Sequence, residues 1–267
     1  MRTIELHEAR ALAMGGRQIR DLGDAVMLHD PSDPDPFWNR VGALRLPARP
    51  DAFDARLAEI MVLFASLDRR PHLVVPPAHA EPSDLARRLA GHGFRDRGRG
   101  RLMVATAVAP SPGSDEIPGG LTVERWDGSD PATLERLSVE IAELLVAGFE
   151  VDRELRPRVA ADLRRALPEP GVHLVVVRAG TTPVAVAKRV TFDGLTYLSS
   201  IATSLDWRGR GLGSLVTRVA TADGLEEGGI IAYLGVEPGN HRAVALYERL
   251  GFELVGDPVG HWLLADA

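Results

Sequence analysis

The chain has 267 residues, 45% of them hydrophobic and 25% charged, a formal net charge of −6 and no cysteine. Its length fits one large domain or two of ordinary size, and its balance of apolar and charged residues excludes general disorder and fibrous classes. The acidic balance argues against nucleic acid as a partner, and the absence of thiols excludes disulfides, thiolate nucleophiles and cysteine-ligated metals.

Residues 1–8 are charged and mixed, with no apolar signal core behind them, and no later run reaches membrane-spanning length. The expectation is a cytoplasmic protein with no membrane partner. Residues 3–13 suit a short helix, residues 25–29 a strand, and the Pro- and Asp-rich run at 30–36 a turn before an extended piece at 37–46. Leu57, Ile60, Met61 and Phe64 recur at helical spacing after Pro50 and Asp51, which predicts a helix over 51–67. A short strand at 72–75 and a helix opened by Glu81-Pro82-Ser83-Asp84 follow, ended by Gly91-His92-Gly93-Phe94. Residues 95–107 read as two strands turning over Arg97-Gly98-Arg99-Gly100, a solvated hairpin rather than a nucleotide patch, because no helix start follows to supply an amide cluster. His72, His79 and His92 lack the spacing of metal ligands, so no metal site is expected. Residues 110–120 are rich in breakers and poor in apolar groups, and read as a linker.

Beyond it, residues 121–126 suit a strand and 131–149 a helix with Leu134, Leu137, Ile141, Leu144 and Leu145 inward. A more polar helix is expected over 153–167, and the turn between these helices, 147–152, is a candidate substrate wall by its position. Strands at 172–178 and 184–191 flank a hairpin turn. Asp193-Gly194 marks the next turn, into a strand at 195–203. Lys188, the single lysine of the chain, reads as an exposed or edge residue rather than a catalytic one. After Arg208-Gly209-Arg210-Gly211-Leu212-Gly213 comes a helix with Leu212, Leu215, Val216 and Val219 on one face. A strand at 230–236, a helix at 241–250 capped by Asn240, and strands at 253–255 and 261–264 complete the chain.

The glycine-rich loop at 208–213 is the candidate anion site. Amides at a helix start point outward with the positive end of the helix dipole behind them, and glycine lets the backbone approach a ligand closely. A phosphate-binding loop of the Gly-Lys-Ser/Thr type is excluded, and a dinucleotide fingerprint fails because Ser214 holds the third glycine position. On its own so short a motif is a structural turn. Here, however, Arg208-x-x-Gly211-x-Gly213 is followed by Asn240-x-x-Ala243-x-x-Leu246-Tyr247 and then Gly251-Phe252. In this order and spacing, from about residue 121 to the C-terminus, the sequence resembles the GNAT acyltransferase superfamily. It departs at Leu205, where the family often has proline.

The resemblance implies an α/β (α+β) fold with a mixed, mainly antiparallel sheet flanked by helices. It implies acyl-CoA, most simply acetyl-CoA, as cosubstrate, with no metal, and transfer to the amine of a small molecule or peptide by direct attack. The pyrophosphate would sit on the amides of Gly209, Arg210, Gly211, Leu212, Gly213 and Ser214, with the Arg208 and Arg210 charges beside it. The pantetheine arm would pair like a strand with Ile201, Ala202 and Thr203. Asn240, also a helix cap, would hold the arm, and Tyr247, by periodicity a core aromatic, would give a proton to the departing thiolate. The general base is not readable: Ser199, Ser200 and Thr203 are the polar groups of the strand, and Glu237 reads as a solvated turn carboxylate. A CoA-binding regulatory module without catalysis is the alternative, and an oligomer is compatible with either.

A repeat completes the sequence reading. Helix, strand, helix, Gly-Phe and strand occur at 51–67, 72–75, 81–90 and Gly93-Phe94, as they do at 212–225, 230–236, 241–250 and Gly251-Phe252. The loop position of the first copy is Arg45-Leu46-Pro47-Ala48-Arg49-Pro50, without glycine and with two prolines that lack an N–H, and Leu89 stands where the second copy has tyrosine. The expectation is a tandem GNAT protein, with a degenerate domain at 1–115 and an acyl-CoA-binding domain at 118–267.

Overall fold

The structure, a computed structural model, describes residues 2–76, 80–113 and 117–265. His79 and residues 114–116 of the breaker-rich stretch lie outside the described residues. In chain order the elements are α1 (Arg2–Ala13), β1 (Gln18–Asp21), β2 (Val26–His29), β3 (Arg40–Gly42), α2 (Pro50–Ser66), β4 (His72–Val75), α3 (Leu85–Gly91) and β5 (Phe94–Ala105). Then follow β6 (Leu121–Trp126), α4 (Pro131–Gly148), α5 (Arg156–Ala166), β7 (Val172–Ala179), β8 (Thr182–Phe192), β9 (Leu195–Thr203), α6 (Leu212–Glu226), β10 (Ile231–Val236), α7 (His241–Arg249) and β11 (Glu253–Leu264). The fold is mixed α/β with mainly antiparallel strands, as the sequence implied.

The chain divides into two compact units. One is Met1–Leu102 with Val236–Gly239 and Val255–Ala267; the other is Met103–Gly235 with Asn240–Leu254. A single cut between 115 and 118 places the C-terminal strand in the second domain, whereas its ladder lies in the first unit: β11 pairs antiparallel with β4, from Gly260↔Val75 to Leu263↔His72. The first unit thus orders its strands β1-β2-β3-β4-β11-β5. Its core gathers Phe53, Leu57, Ile60 and Phe64 of α2, Leu85 and Leu89 of α3, and Leu73, Val75 and Phe94 of the strands, with Trp262 and Leu264 of β11 packed against it. Burying each such side chain contributes roughly 1.5–3 kcal/mol, so α2 is fixed by its apolar stripe.

Two strand readings differ from the sequence expectation. Residues 95–107 do not form a hairpin: β5 runs unbroken from Phe94 to Ala105, its basic middle exposed. Asp96 accepts from the Gly98 amide and pairs with Arg99, so the glycines and arginines form a solvated strand segment instead of a reversal. Likewise 253–255 and 261–264 belong to one strand, β11, which continues through Gly256 at φ +67 where sequence alone reads a break.

In the second unit the order is β10-β9-β8-β7-β6. The middle strands β7 and β8 are buried on both faces, with Val175, Val176, Val177, Val184 and Val186 all in the core, which is why they read as continuous apolar runs. Lys188 therefore stands on an interior strand, half-buried, directly across from Ser199, and is not an edge residue. α4 starts on Asp130, whose carboxylate accepts from the Ala132 and Thr133 amides ahead of Pro131. α6 lies tight on β9: a Cβ at Gly224 would stand 2.5 Å from Cγ2 of Thr196.

The internal repeat extends to pairing. β3 pairs parallel with β4 through the crossover helix α2, as β9 pairs parallel with β10 through α6.

Candidate active site

The site builds outward from β9. Its ladder to β10 runs from Leu195↔Ile231 to Leu198↔Leu234 and stops. On the other side, β8 follows it to Thr203↔Ala185 with one irregularity: Val186 faces Ala202, and Lys188 faces Ser199. β9 spends one more residue than β8 across that step, and Ser200 takes φ +52, a bulge at a non-glycine residue. Among the described residues, no β10 partner opposes residues 199–203, so Ile201, Ala202 and Thr203 present an open backbone flank beyond the bulge.

The chain then turns through a short 3₁₀ segment, Leu205–Trp207, into the glycine loop. Gly209 and Gly211 have φ of +81 and +79, conformations that L side chains rarely adopt. Gly211 caps α6 with no side-chain bond, and a Cβ placed on it would meet nothing within 4 Å, so open space faces the loop there. The N–H groups of residues 209–214 find no acceptor among the described residues, as expected for the first turn of a helix. Gly213 serves packing instead: its missing Cβ lies 3.3 Å from Cδ1 of Leu246 and 3.6 Å from Oγ1 of Thr203, which brings α6, α7 and β9 together.

The arginines divide their work. Arg210 stacks on Trp207, with its guanidinium carbon 4.5 Å from the ring centre. Arg208 pairs with Glu150 at 2.9 Å and donates to the Gly148 carbonyl at the end of α4. Arg208, whose charge the family resemblance sets beside the pyrophosphate, thus also has a carboxylate partner. Arg242, in the first turn of α7, reaches within 4.0 Å of the Cβ position of Gly209 and was not singled out from the sequence. Its signal was available, two residues after Asn240.

Asn240 is exposed and caps α7, accepting from the Ala243 amide at 3.1 Å. Tyr247 is buried on the next turns, its ring 6.0 Å from Phe252. Burial pushes its hydroxyl up to about 12, and that hydroxyl makes no hydrogen bond among the described residues. The Ser199 hydroxyl, one residue past the last β9–β10 pair, is buried without a partner. Glu237 is an exposed residue in the turn after β10. No group of His, Asp and Glu among the described residues could hold a metal ion, and no helix is long and apolar enough to cross a membrane.

Residues 139–252, the stretch holding the bulged strand, glycine loop, Asn240 and Tyr247, match the acetyltransferase (GNAT) family model. Over that stretch the chain carries a GNAT-family acetyltransferase domain. The structure of a GCN5-related N-acetyltransferase from Kribbella flavida is similar over 100% of this chain and 96% of that one, with a TM-score of 0.73 and 26% identity. A conserved Staphylococcus epidermidis protein of unknown function shares the fold at a TM-score of 0.66 and 14% identity, over 95% of each chain. A tandem GNAT protein from the clavulanic acid biosynthesis pathway does so at 0.64 and 16% identity, over 93% of this chain and 82% of that one. A comparison with curated protein sequences gives no match. The likeness in fold therefore covers both units of the chain, while the family model falls almost wholly on the second.

In the first unit, the position equivalent to the glycine loop is closed. The Arg45 amide donates to Asp24 at 2.7 Å and the Leu46 amide to Glu81 at 2.9 Å, while Leu44 and Leu46 are buried. Leu89, at the place of Tyr247, is a core residue of α3.

Proposed function

We propose that this protein is an N-acyltransferase that moves an acyl group, most simply acetyl, from acyl-CoA to a primary amine by direct attack of the neutral amine on the thioester. The observation that carries the proposal is the open flank of β9 running into a loop of unpartnered amides with empty space over Gly211. A pyrophosphate suits the amides of Gly209, Arg210, Gly211, Leu212, Gly213 and Ser214, with the dipole of α6 behind them and Arg242 alongside. A pantetheine arm carries amides in an extended chain and suits Ile201, Ala202 and Thr203, whose backbone has no ladder partner on that side. Asn240 borders the same end of α7, where its side chain already accepts one amide. Tyr247 is protonated at physiological pH, as a phenol is at its ordinary value and more so when burial raises it, so it offers a departing thiolate a charge-assisted hydrogen bond. With no cysteine in the chain, direct attack is favoured over a thioester-linked enzyme.

The first unit, on this reading, is a GNAT-like domain that no longer binds acyl-CoA, since its loop amides are spent on its own backbone. The acceptor is a small molecule or peptide amine, and the working compartment is the cytoplasm. Release of CoA thiol from acetyl-CoA, measured over an amine library for wild type and Tyr247→Phe, tests the proposal. Turnover on at least one amine, depressed by the substitution, is the expected result. Acetyl-CoA binding without turnover on any amine supports a non-catalytic acyl-CoA-binding module instead.

A further inference from the structure

The end of α4 breaks two local rules at one residue. α4 closes in a Schellman arrangement: the Val151 amide bonds to the Val146 carbonyl at 3.1 Å and the Glu150 amide to that of Ala147 at 3.2 Å. The left-handed position of that motif favours glycine, yet Glu150 occupies it at φ +56. A carboxylate there also faces the negative end of the helix dipole, where a cation is favoured. Residues that contradict local preference mark places where something else is being served. Here the compensation is Arg208, which pairs with Glu150 at 2.9 Å and donates to the Gly148 carbonyl that the helix leaves free. The pair is half-open to solvent, so its contribution to stability is small and does not account for the arrangement.

The same turn abuts the open flank of β9. A Cβ on Gly148 would stand 3.0 Å from that of Ala202 and 3.5 Å from the carbonyl oxygen of Thr203. Phe149 and Val151, on either side of Glu150, hold large apolar side chains half in solvent. The turn therefore borders the strand segment assigned to the acyl-CoA arm and carries surface that a second substrate could use, while Arg208 joins it to the loop assigned to the pyrophosphate.

We propose that Arg208 is a positioning residue whose side chain links the glycine loop to the 148–152 turn, so that filling the loop orders the acceptor side of the site. The inference rests on the acyl-CoA reading and goes beyond it. It gives the Arg208 side chain a task other than phosphate contact, and it makes Glu150 part of the machinery. Binding at the loop restrains Arg208, Arg208 restrains Glu150 and the Gly148 carbonyl, and the turn presents Phe149 and Val151 in one arrangement.

Acetyl-CoA is the probe, with calorimetry for affinity and amide hydrogen exchange for the turn, whose 149, 150 and 151 amides are all bonded and hence report its opening. In wild type, acetyl-CoA should slow exchange at 149–151 by about fivefold or more, the size of an ordinary coupling between sites. Arg208→Gln and Glu150→Ala should both lose that slowing while affinity stays within about fivefold, the limit set by an exposed ion pair. Arg208→Lys should restore part of it, and Glu150→Gly, which relieves the backbone, should leave the fold at least as stable yet uncoupled. Affinity lost by more than about tenfold in Arg208→Gln, with Glu150→Ala silent, would make Arg208 a phosphate ligand and overturn the inference. Slowing that survives in both variants would overturn it too, assigning the coupling to the packing of Gly148 on Ala202. No acetyl-CoA binding by the wild type would overturn the acyl-CoA reading first, a distinct result.

Discussion

Gly211→Glu gives the sharpest test of the loop, because the structure separates its two costs. The first is conformational. At φ +79 an L residue costs roughly 1–2 kcal/mol, a fraction of the ~5–15 kcal/mol that holds a domain of ordinary stability. No steric cost adds to it, since a Cβ there meets nothing within 4 Å. The second is electrostatic. A carboxylate about 6 Å from one phosphate charge, at an effective dielectric near 20, is repelled by ~3 kcal/mol, and salt reduces this to about 2. That corresponds to a loss of affinity of roughly 30-fold. Gly211→Ala carries the strain without the charge and should lose stability as Gly211→Glu does while keeping most of the wild-type affinity. Acetyl-CoA calorimetry reads the affinity, and thermal melting checks that each variant keeps a cooperative transition. A folded Gly211→Glu protein that binds acetyl-CoA as wild type does would remove the loop from the site.

Tyr247→Phe preserves the packing against Phe252 and removes only the hydroxyl; kcat should fall about 10²-fold or more with acetyl-CoA affinity nearly unchanged, and an unaltered kcat would end its role as acid. Gly224→Val drives a side chain into Thr196 at 2.5 Å and should destabilise by about 2–4 kcal/mol in denaturant titration. His72 and His261 touch at 3.1 Å across the β4–β11 ladder, and burial pulls both down to about 4 from the ordinary 6.5. The unfolded chain then binds more protons than the folded one between those values, so stability should be full above pH 6.5 and fall as pH drops toward 4. His261→Gln should flatten that slope in melts taken across the range. Residues 1–115 alone lack β11 and should give no cooperative melt, whereas the same segment with residues 255–265 fused behind it should recover one; equal stability of both would contradict the pairing of β11 with β4.

Much of the second unit was legible because its signals are local. Leu212, Val216 and Val219 at helical spacing, Asp193-Gly194 at a hairpin, and Asn240 before α7 each act within a few residues of the chain, and the elements formed where those patterns place them. The glycine loop was legible for the same reason, since Gly209 and Gly211 announce positive φ directly. Errors arose where the decisive contact is remote. Gly98 and Gly100 read as a turn because a long exposed strand cannot be told from a hairpin without knowing its neighbour. Lys188 read as an edge residue because strand order is not written along the chain.

The sequence by itself determined most of the elements, the internal repeat, the missing glycines in the first copy's loop and the order of motifs that the family shares. Periodicity, capping and backbone freedom are short-range properties, and the chain states them. Only the tertiary structure decided that β11 completes the first unit, that the β9–β10 ladder stops at Leu198 beside a bulge at Ser200, and that Arg208 answers Glu150 instead of standing free. Those are pairings between residues about 60 to 190 positions apart in Arg208–Glu150 and His261–His72. No local preference encodes them; they follow from which surfaces remain to be buried and which polar groups remain to be satisfied once the elements have formed.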